Sequence, residues 1–305
     1  MHLDHAAWPG SPIMVTRPEF VEFDVGTTTL GALRWPGLIG TPTVVAVHGI
    51  TSNAWAWDPV AHHLAGGATL VALDLRGRGR SVDAPVPFGI RQHADDVATV
   101  IGHLGEPAFV VGHSMGAAVA LMTAERHPPT VRDVLLVDGG PAVSRPPDLD
   151  LDAAVVATLG PAIERISTVW PDRVSYHAMW SSHPAFVDGI GPDLERNLLA
   201  DLIESDGGFR VAVNEAAVRW DGRDLLGDHE VRTLLDRRLE PTTIVRAEFG
   251  MLGTLPAFVP AAQVDAYPQH HWIEATGLNH YTVMNSSAGA SLVADALRRV
   301  IVDAG

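Results

Sequence analysis

Cysteine is absent from the 305-residue chain. Its absence excludes disulfides, thiolate nucleophiles and cysteine-ligated metals, so covalent chemistry must come from another side chain. Basic residues are few: 21 Lys and Arg stand against 36 Asp and Glu, a formal charge of −15. So acidic a surface repels phosphate backbones and anionic lipid, which argues against nucleic acid or a membrane as partner. It also disfavours strongly anionic substrates unless the site carries its own cations. No apolar run reaches the length of a bilayer span. Residues 1–15, MHLDHAAWPGSPIMV, have no basic segment leading into an apolar one, so no signal peptide is read there. These absences predict a cytoplasmic protein.

Hydrophobic residues make up 47% of the chain, enough for a sizeable core. Short strands are predicted at 19–24 and 29–34, an antiparallel pair around VGTT. TPTVVAVHG (41–49), ATLVALDLRG (68–77), PAFVVGHS (107–114) and VRDVLLVDGG (131–140) have continuous apolar middles, as strands covered on both faces do. Helices are predicted between them at Trp57–Leu64, Ile90–Leu104 and Met115–Arg126. This alternation means βαβ crossovers and a parallel sheet. After PAVSRPPDLD (141–150) helical patterns follow at 151–170, 172–181, 191–205 and 229–238. Strands return at 241–249 and 270–277, and an amphipathic helix closes the chain at 287–304. The predicted organisation is one α/β core, residues 1–140 and 240–305, with a helical cap inserted at 141–239 over the C-terminal edge of the sheet.

Ser114 stands between Gly112 and Gly116 where a strand hands over to an Ala-rich helix. In a sharp strand-to-helix turn the glycines remove Cβ atoms that would clash. The serine hydroxyl is then lifted to the helix N-terminus, where free N–H groups favour negative charge. A serine is a weak nucleophile and needs a base, which needs an orienting acid. His280, on the loop after the last predicted strand, is the expected base. Asp138, at the end of the strand following the nucleophile helix, is the expected acid, with Glu248 at the end of the next core strand as its competitor. The backbone N–H groups of Met115 and Ile50 are the expected oxyanion donors, and Gly49 permits close backbone approach. Gly49, Trp55, His113 and Trp180 are expected to border the substrate. Asp74, Arg76 and Ser81 in DLRGRGRS are expected to hold their loop by charge-assisted hydrogen bonds.

VHGITSNAWAWDPVAHHL, LDLRGRGRS, VGHSMG, VDGG and NHYT occur in the order found in α/β-hydrolase-fold enzymes, which the chain resembles across essentially the whole core. The resemblance implies a mostly parallel eight-stranded sheet flanked by helices, a helical cap and a triad in the order Ser, acid, His. Many members carry an aspartate shortly after the penultimate core strand; here that stretch reads Ala247-Glu248-Phe249-Gly250. Other members place the acid where Asp138 stands, so the departure favours Asp138 and leaves Glu248 open. A serine at 114 argues against the alkyl-enzyme chemistry of haloalkane dehalogenases and epoxide hydrolases. The expected activity is hydrolysis of a small-to-medium apolar or aromatic ester or lactone through an acyl-enzyme. That reaction requires no metal or organic cofactor, and the protein is expected as a monomer or homodimer. Two other readings share the motifs: a C–C bond hydrolase of β-diketone-like products of aromatic degradation, and a non-catalytic ligand-binding protein of the same fold.

Overall fold

The computed structural model describes residues 17–143, 148 and 150–305. The segment read for a leader, 1–15, and residues 144–147 and 149 of the Pro-rich exit at 141–150 lie outside the described residues. The chain runs through β1 (Glu19–Asp24), β2 (Thr29–Trp35), β3 (Thr43–Val47), α1 (Asp58–Leu64), β4 (Thr69–Leu73), α2 (Ile90–Leu104), β5 (Ala108–His113), α3 (Met115–Arg126) and β6 (Val131–Val137). There follow α4 (Leu151–Ser167), α5 (Arg173–Ser181), α6 (Pro192–Ala200), the hairpin β7 (Leu202–Ser205) and β8 (Gly208–Val211), α7 (Glu215–Gly227), α8 (His229–Arg232) and α9 (Leu234–Arg237). The chain then completes the core with β9 (Thr243–Phe249), α10 (Ala262–Ala266), β10 (His271–Asn279), α11 (Thr282–Asn285) and α12 (Ser287–Asp303).

Eight strands form one sheet in the order β1-β2-β4-β3-β5-β6-β9-β10. The β1–β2 and β2–β4 pairings are antiparallel and the other five parallel. Side chains alternate across the sheet with the period of two that a strand imposes. Val45, Val47 and Val110 point into a core built with α2 and α3. Val44, Ala46, Phe109 and Val111 point into the opposite core, built with α1 and α12. Burial on both faces explains why β3 and β5 read as continuous apolar runs. Each fully buried aliphatic side chain contributes roughly 1.5–3 kcal/mol.

The strand order reverses at β3. The chain leaves β3 toward α1 on one face and leaves β5 toward α3 on the other. The two connections diverge and open a crevice at the C-terminal edge between them, where open α/β sheets bind ligands.

The segment from α4 to α7 has an apolar core of its own, in which Val155, Leu159, Tyr176, Phe186, Leu198 and Val218 meet. Two helical expectations fail in this region. The pattern read as one helix over 191–205 ends at Ala200 and turns into the β7–β8 hairpin. Its signal was present: Asp206-Gly207 is a two-residue hairpin turn, with Gly207 at φ +85° and Gly208 at φ +151°. A Cβ at Gly208 would lie 2.1 Å from the Trp170 carbonyl oxygen. The helix read over 229–238 is two short turns broken at Thr233, whose φ/ψ of −110°/12° leaves the helical region. Val231, Leu234 and Leu235 pack into the α2–α3 core of the sheet, so α8 and α9 return the chain to the core. Among the described residues no helix is long and apolar enough to cross a membrane.

Candidate active site

Ser114 sits between β5 and α3 with φ +56° and ψ −119°. A non-glycine residue there carries strain of order 1–3 kcal/mol, held only because its surroundings over-determine it. Its amide donates to the Val137 carbonyl at 3.0 Å. A Cβ at Gly112 would come within 2.0 Å of the Gly116 carbonyl oxygen, and one at Gly116 within 2.2 Å of that of Val47. Glycine is therefore obligatory at both positions. Gly139 serves the same turn from the next strand, since a Cβ there would lie 2.5 Å from the Ser114 carbonyl oxygen.

His280 follows β10, and its Nε2 is 3.1 Å from Ser114 Oγ. Its Nδ1 is 2.7 Å from Asp138 Oδ2. A carboxylate oxygen accepts, so the Nδ1 proton points at Asp138 and Nε2 is free to accept from the serine hydroxyl. Asp138 is fully buried just beyond β6, at φ +42°. Its second oxygen accepts from Ala247 N at 3.1 Å, which ties it to β9. The imidazole lies between two rings, Phe258 at 4.3 Å and His113 at 4.8 Å between centroids. His113 Nε2–H donates to the His280 carbonyl at 3.0 Å. Burial, and secondarily the His280 ring, hold His113 well below the ordinary histidine range, so it stays neutral. Asn279 fixes the loop ahead of His280: its Oδ1 accepts from the amides of Tyr281 and Thr282, both at 2.9 Å.

Glu248 is elsewhere. Its carboxylate accepts from Gly277 N at 2.7 Å, at the register shift within β10, while the His280 ring bonds Asp138 and Ser114. The competing acid is thus corrected to a loop anchor. Trp55 also departs from expectation. Asn53 Oδ1 accepts from the Trp55 amide at 2.7 Å and starts a 3-10 turn. That turn aims the indole at Phe20, edge-on at 6.2 Å, while Ala56 faces the cavity instead.

Gly49, Ile50, Met115, His113 and Trp180 do line one cavity with Ser114 and His280. Its volume is about 120 Å³. Its wall is largely apolar and includes Phe186 and Trp180 from the α5–α6 region, Met251 and Phe258. Of the other cap aromatics, Trp170 packs edge-on against Tyr176 at 5.3 Å, and Trp220 packs on Phe88 at 6.3 Å.

His48 was not singled out from sequence as a site residue. His48 Nε2 accepts from Leu75 N at 3.1 Å, so its Nδ1–H donates to the Gly49 carbonyl, 2.7 Å away. Burial drives its pKa down to about 3, which fixes this neutral tautomer. The pinned Gly49–Ile50 peptide is the one whose N–H belongs to Ile50. Arg78 Nε donates to the Ile50 carbonyl at 3.0 Å, and its Nη2 pairs with Asp221 of α7 at 2.6 Å. The neighbouring arginines are committed too: Arg76 grips Asp96 at 2.5 and 2.9 Å, and Arg80 lies 3.7 Å over the Phe20 ring. Asp74 accepts from Ala54 N and Arg80 N at 2.8 and 3.1 Å, and Ser81 Oγ accepts from Gly31 N at 3.0 Å. The DLRGRGRS loop is held as expected.

Residues 42–162 match the family model described as alpha/beta hydrolase fold. Over 264 residues the chain is 29% identical to the 2-(acetamidomethylene)succinate hydrolase of Mesorhizobium japonicum, covering 85% of this chain and 87% of that protein. It is also 29% identical over 246 residues to epoxide hydrolase B of Mycobacterium tuberculosis, covering 74% and 64%. Among solved structures, E-2-(acetamidomethylene)succinate hydrolase superposes with a TM-score of 0.76 at 24% identity, over 93% of this chain and 99% of that one, a likeness of fold. The sheet order, the glycine-flanked serine turn and these matches agree: the chain has the α/β-hydrolase fold.

Proposed function

We propose that the protein is a serine hydrolase that cleaves a carboxylic ester of a small substrate by acyl transfer. The observation that carries this reading is the continuous hydrogen-bonded line Ser114 Oγ–His280–Asp138, at 3.1 and 2.7 Å, with Ser114 opening into a largely apolar cavity. In the reaction His280 Nε2 takes the Ser114 proton as Oγ attacks the carbonyl carbon. The N–H groups of Ile50 and Met115 receive the developing oxyanion. The imidazolium then protonates the leaving alcohol, and a water repeats the sequence on the acyl-enzyme. Asp138 holds the Nδ1–H tautomer throughout. The small cavity favours short acyl and alcohol groups over long lipid chains. A lactone is the cyclic case of the same chemistry.

The likeness to an epoxide hydrolase is not carried over, because the position that would attack is a serine rather than a carboxylate. The test is burst and steady-state release of p-nitrophenol from acetyl and butyryl esters. Ser114→Ala should lower kcat by about 10⁴-fold or more. Turnover that survives in Ser114→Ala sinks the proposal. Saturable binding of such esters without turnover by the wild type would instead favour a ligand-binding protein.

A further inference from the structure

Arg165 reaches the cavity from α4 and is 8% exposed. Among the described residues that line this cavity it is the one Arg or Lys. A guanidinium carries five N–H donors. Here Nη1 donates to Tyr176 Oη at 2.8 Å and Nη2 only weakly to the Thr51 carbonyl at 3.5 Å. The nearest carboxylate, that of Asp201, is 3.9 Å away, beyond hydrogen-bonding distance. Asp201 is engaged by Asn53 Nδ2 at 2.5 Å and by Tyr176 Oη at 3.4 Å. Arg76 and Arg78, equally buried, are each gripped by a carboxylate at 2.5 and 2.6 Å. Arg165 is the buried arginine with no carboxylate within hydrogen-bonding distance, and it is the one that faces the cavity.

A second observation concerns the same cavity. Asn197 of α6 also lines the cavity and is 7% exposed. Its Oδ1 has no partner among the described residues, and its Nδ2 makes a single 3.5 Å contact with Asn285. The amide can turn to present either a donor or an acceptor. A buried, under-bonded cation costs several kcal/mol unless something matches it, and the planar fork of arginine matches a carboxylate bidentately. Trp180 lies against the guanidinium, 5.2 Å from ring centroid to Cζ, and restricts its plane.

We propose that Arg165, with Asn197, provides a carboxylate subsite in this cavity, so that the substrate cleaved at Ser114 is a half-ester of a small dicarboxylic acid. The reaction part of this inference rests on the serine-hydrolase reading above; the binding part does not. The subsite reconciles an anionic substrate with a chain of charge −15: the site supplies the cation that the exterior lacks.

The test compares monomethyl with dimethyl esters of the malonate-to-adipate series. The wild type should prefer at least one half-ester by about tenfold or more in kcat/KM, chiefly through KM, the scale of one charge-assisted pair. Arg165→Gln should bring that ratio near one. Equal or poorer use of every half-ester, or a ratio that survives Arg165→Gln, overturns the subsite. If Arg165→Gln does not fold, calorimetry on Ser114→Ala decides: the half-ester should bind at least about tenfold tighter than its diester, and equal affinity overturns the subsite. Half-ester binding to Ser114→Ala with no wild-type turnover sinks the hydrolase reading and keeps the subsite. Wild-type turnover of diesters with no half-ester preference does the reverse.

Discussion

Asp138 Oδ2 and His280 Nδ1 meet at 2.7 Å although 142 residues separate them in the chain. Glu248, on the strand between, spends its carboxylate on Gly277 N. Asp138→Asn should therefore depress kcat by about 10³–10⁴-fold through loss of the correct tautomer, as in serine enzymes generally. Glu248→Gln should change kcat by less than about threefold and cost at most about 1 kcal/mol for one exposed hydrogen bond. Steady-state kinetics of the two variants side by side decide the assignment, and the opposite ranking would falsify it.

Gly112 and Gly139 are predicted to be intolerant for steric reasons alone. A methyl at Gly112 meets backbone atoms of Gly116 at 2.0 and 2.2 Å, which no side-chain rotation relieves. Gly112→Ala should cost about 3 kcal/mol or more, as overpacking against backbone does. Gly102→Ala, with nothing within 4 Å of the added Cβ and a helical backbone, should be neutral or stabilising by up to about 1 kcal/mol. Urea midpoints of the two variants provide the comparison.

Trp55 packs on Phe20 rather than on the cavity. Trp55→Ala should lower the melting temperature by several degrees, the effect of about 1–3 kcal/mol of lost packing. Its KM for small esters should stay within about twofold. A KM increase of tenfold at unchanged stability would return the indole to the substrate wall.

Asp201 makes stability depend on pH. Burial first of all, and the nearby Asp74 carboxylate, raise its pKa from 3.8 to about 6, against the pull of Arg165, Asn53 and Tyr176. A carboxyl that ionises less readily folded than unfolded keeps its proton in the native state between pH 4 and 6. Stability therefore falls as pH rises through that window and is flat above about 7, a loss of roughly 3 kcal/mol for two pK units. Asp74, also raised to about 6, adds a similar loss of its own. Asp201→Asn keeps an acceptor for Asn53 and removes the charge. Its denaturation midpoint should fall less between pH 5 and 7 than that of the wild type. A half-ester should also bind this variant more tightly at pH 8, because the anion opposing Arg165 is gone.

The sequence alone determined a great deal of this molecule, for a local reason. Strands buried on both faces demand continuous apolar runs, so β3, β5 and β6 were legible, and the limits of α2 and α3 were read to the residue. The serine turn was legible because its glycines answer contacts within a few residues of chain. Local order does not reveal what packs from a distance. The choice between Asp138 and Glu248 depended on which carboxylate the β6–β9–β10 arrangement carries to His280. Trp55 and Ala56 are adjacent in sequence, and only the phase of a 3-10 turn set by Asn53 decides which one faces the cavity. Arg165 carries no local sequence signal that sets it apart from the other charges of α4. It becomes the cavity's cation because tertiary packing buries it on the wall that Asn197 also lines, while giving Asp201 to Asn53 and Tyr176. Side-chain pairing in a low-dielectric interior is set by three-dimensional proximity, which residue order does not encode locally.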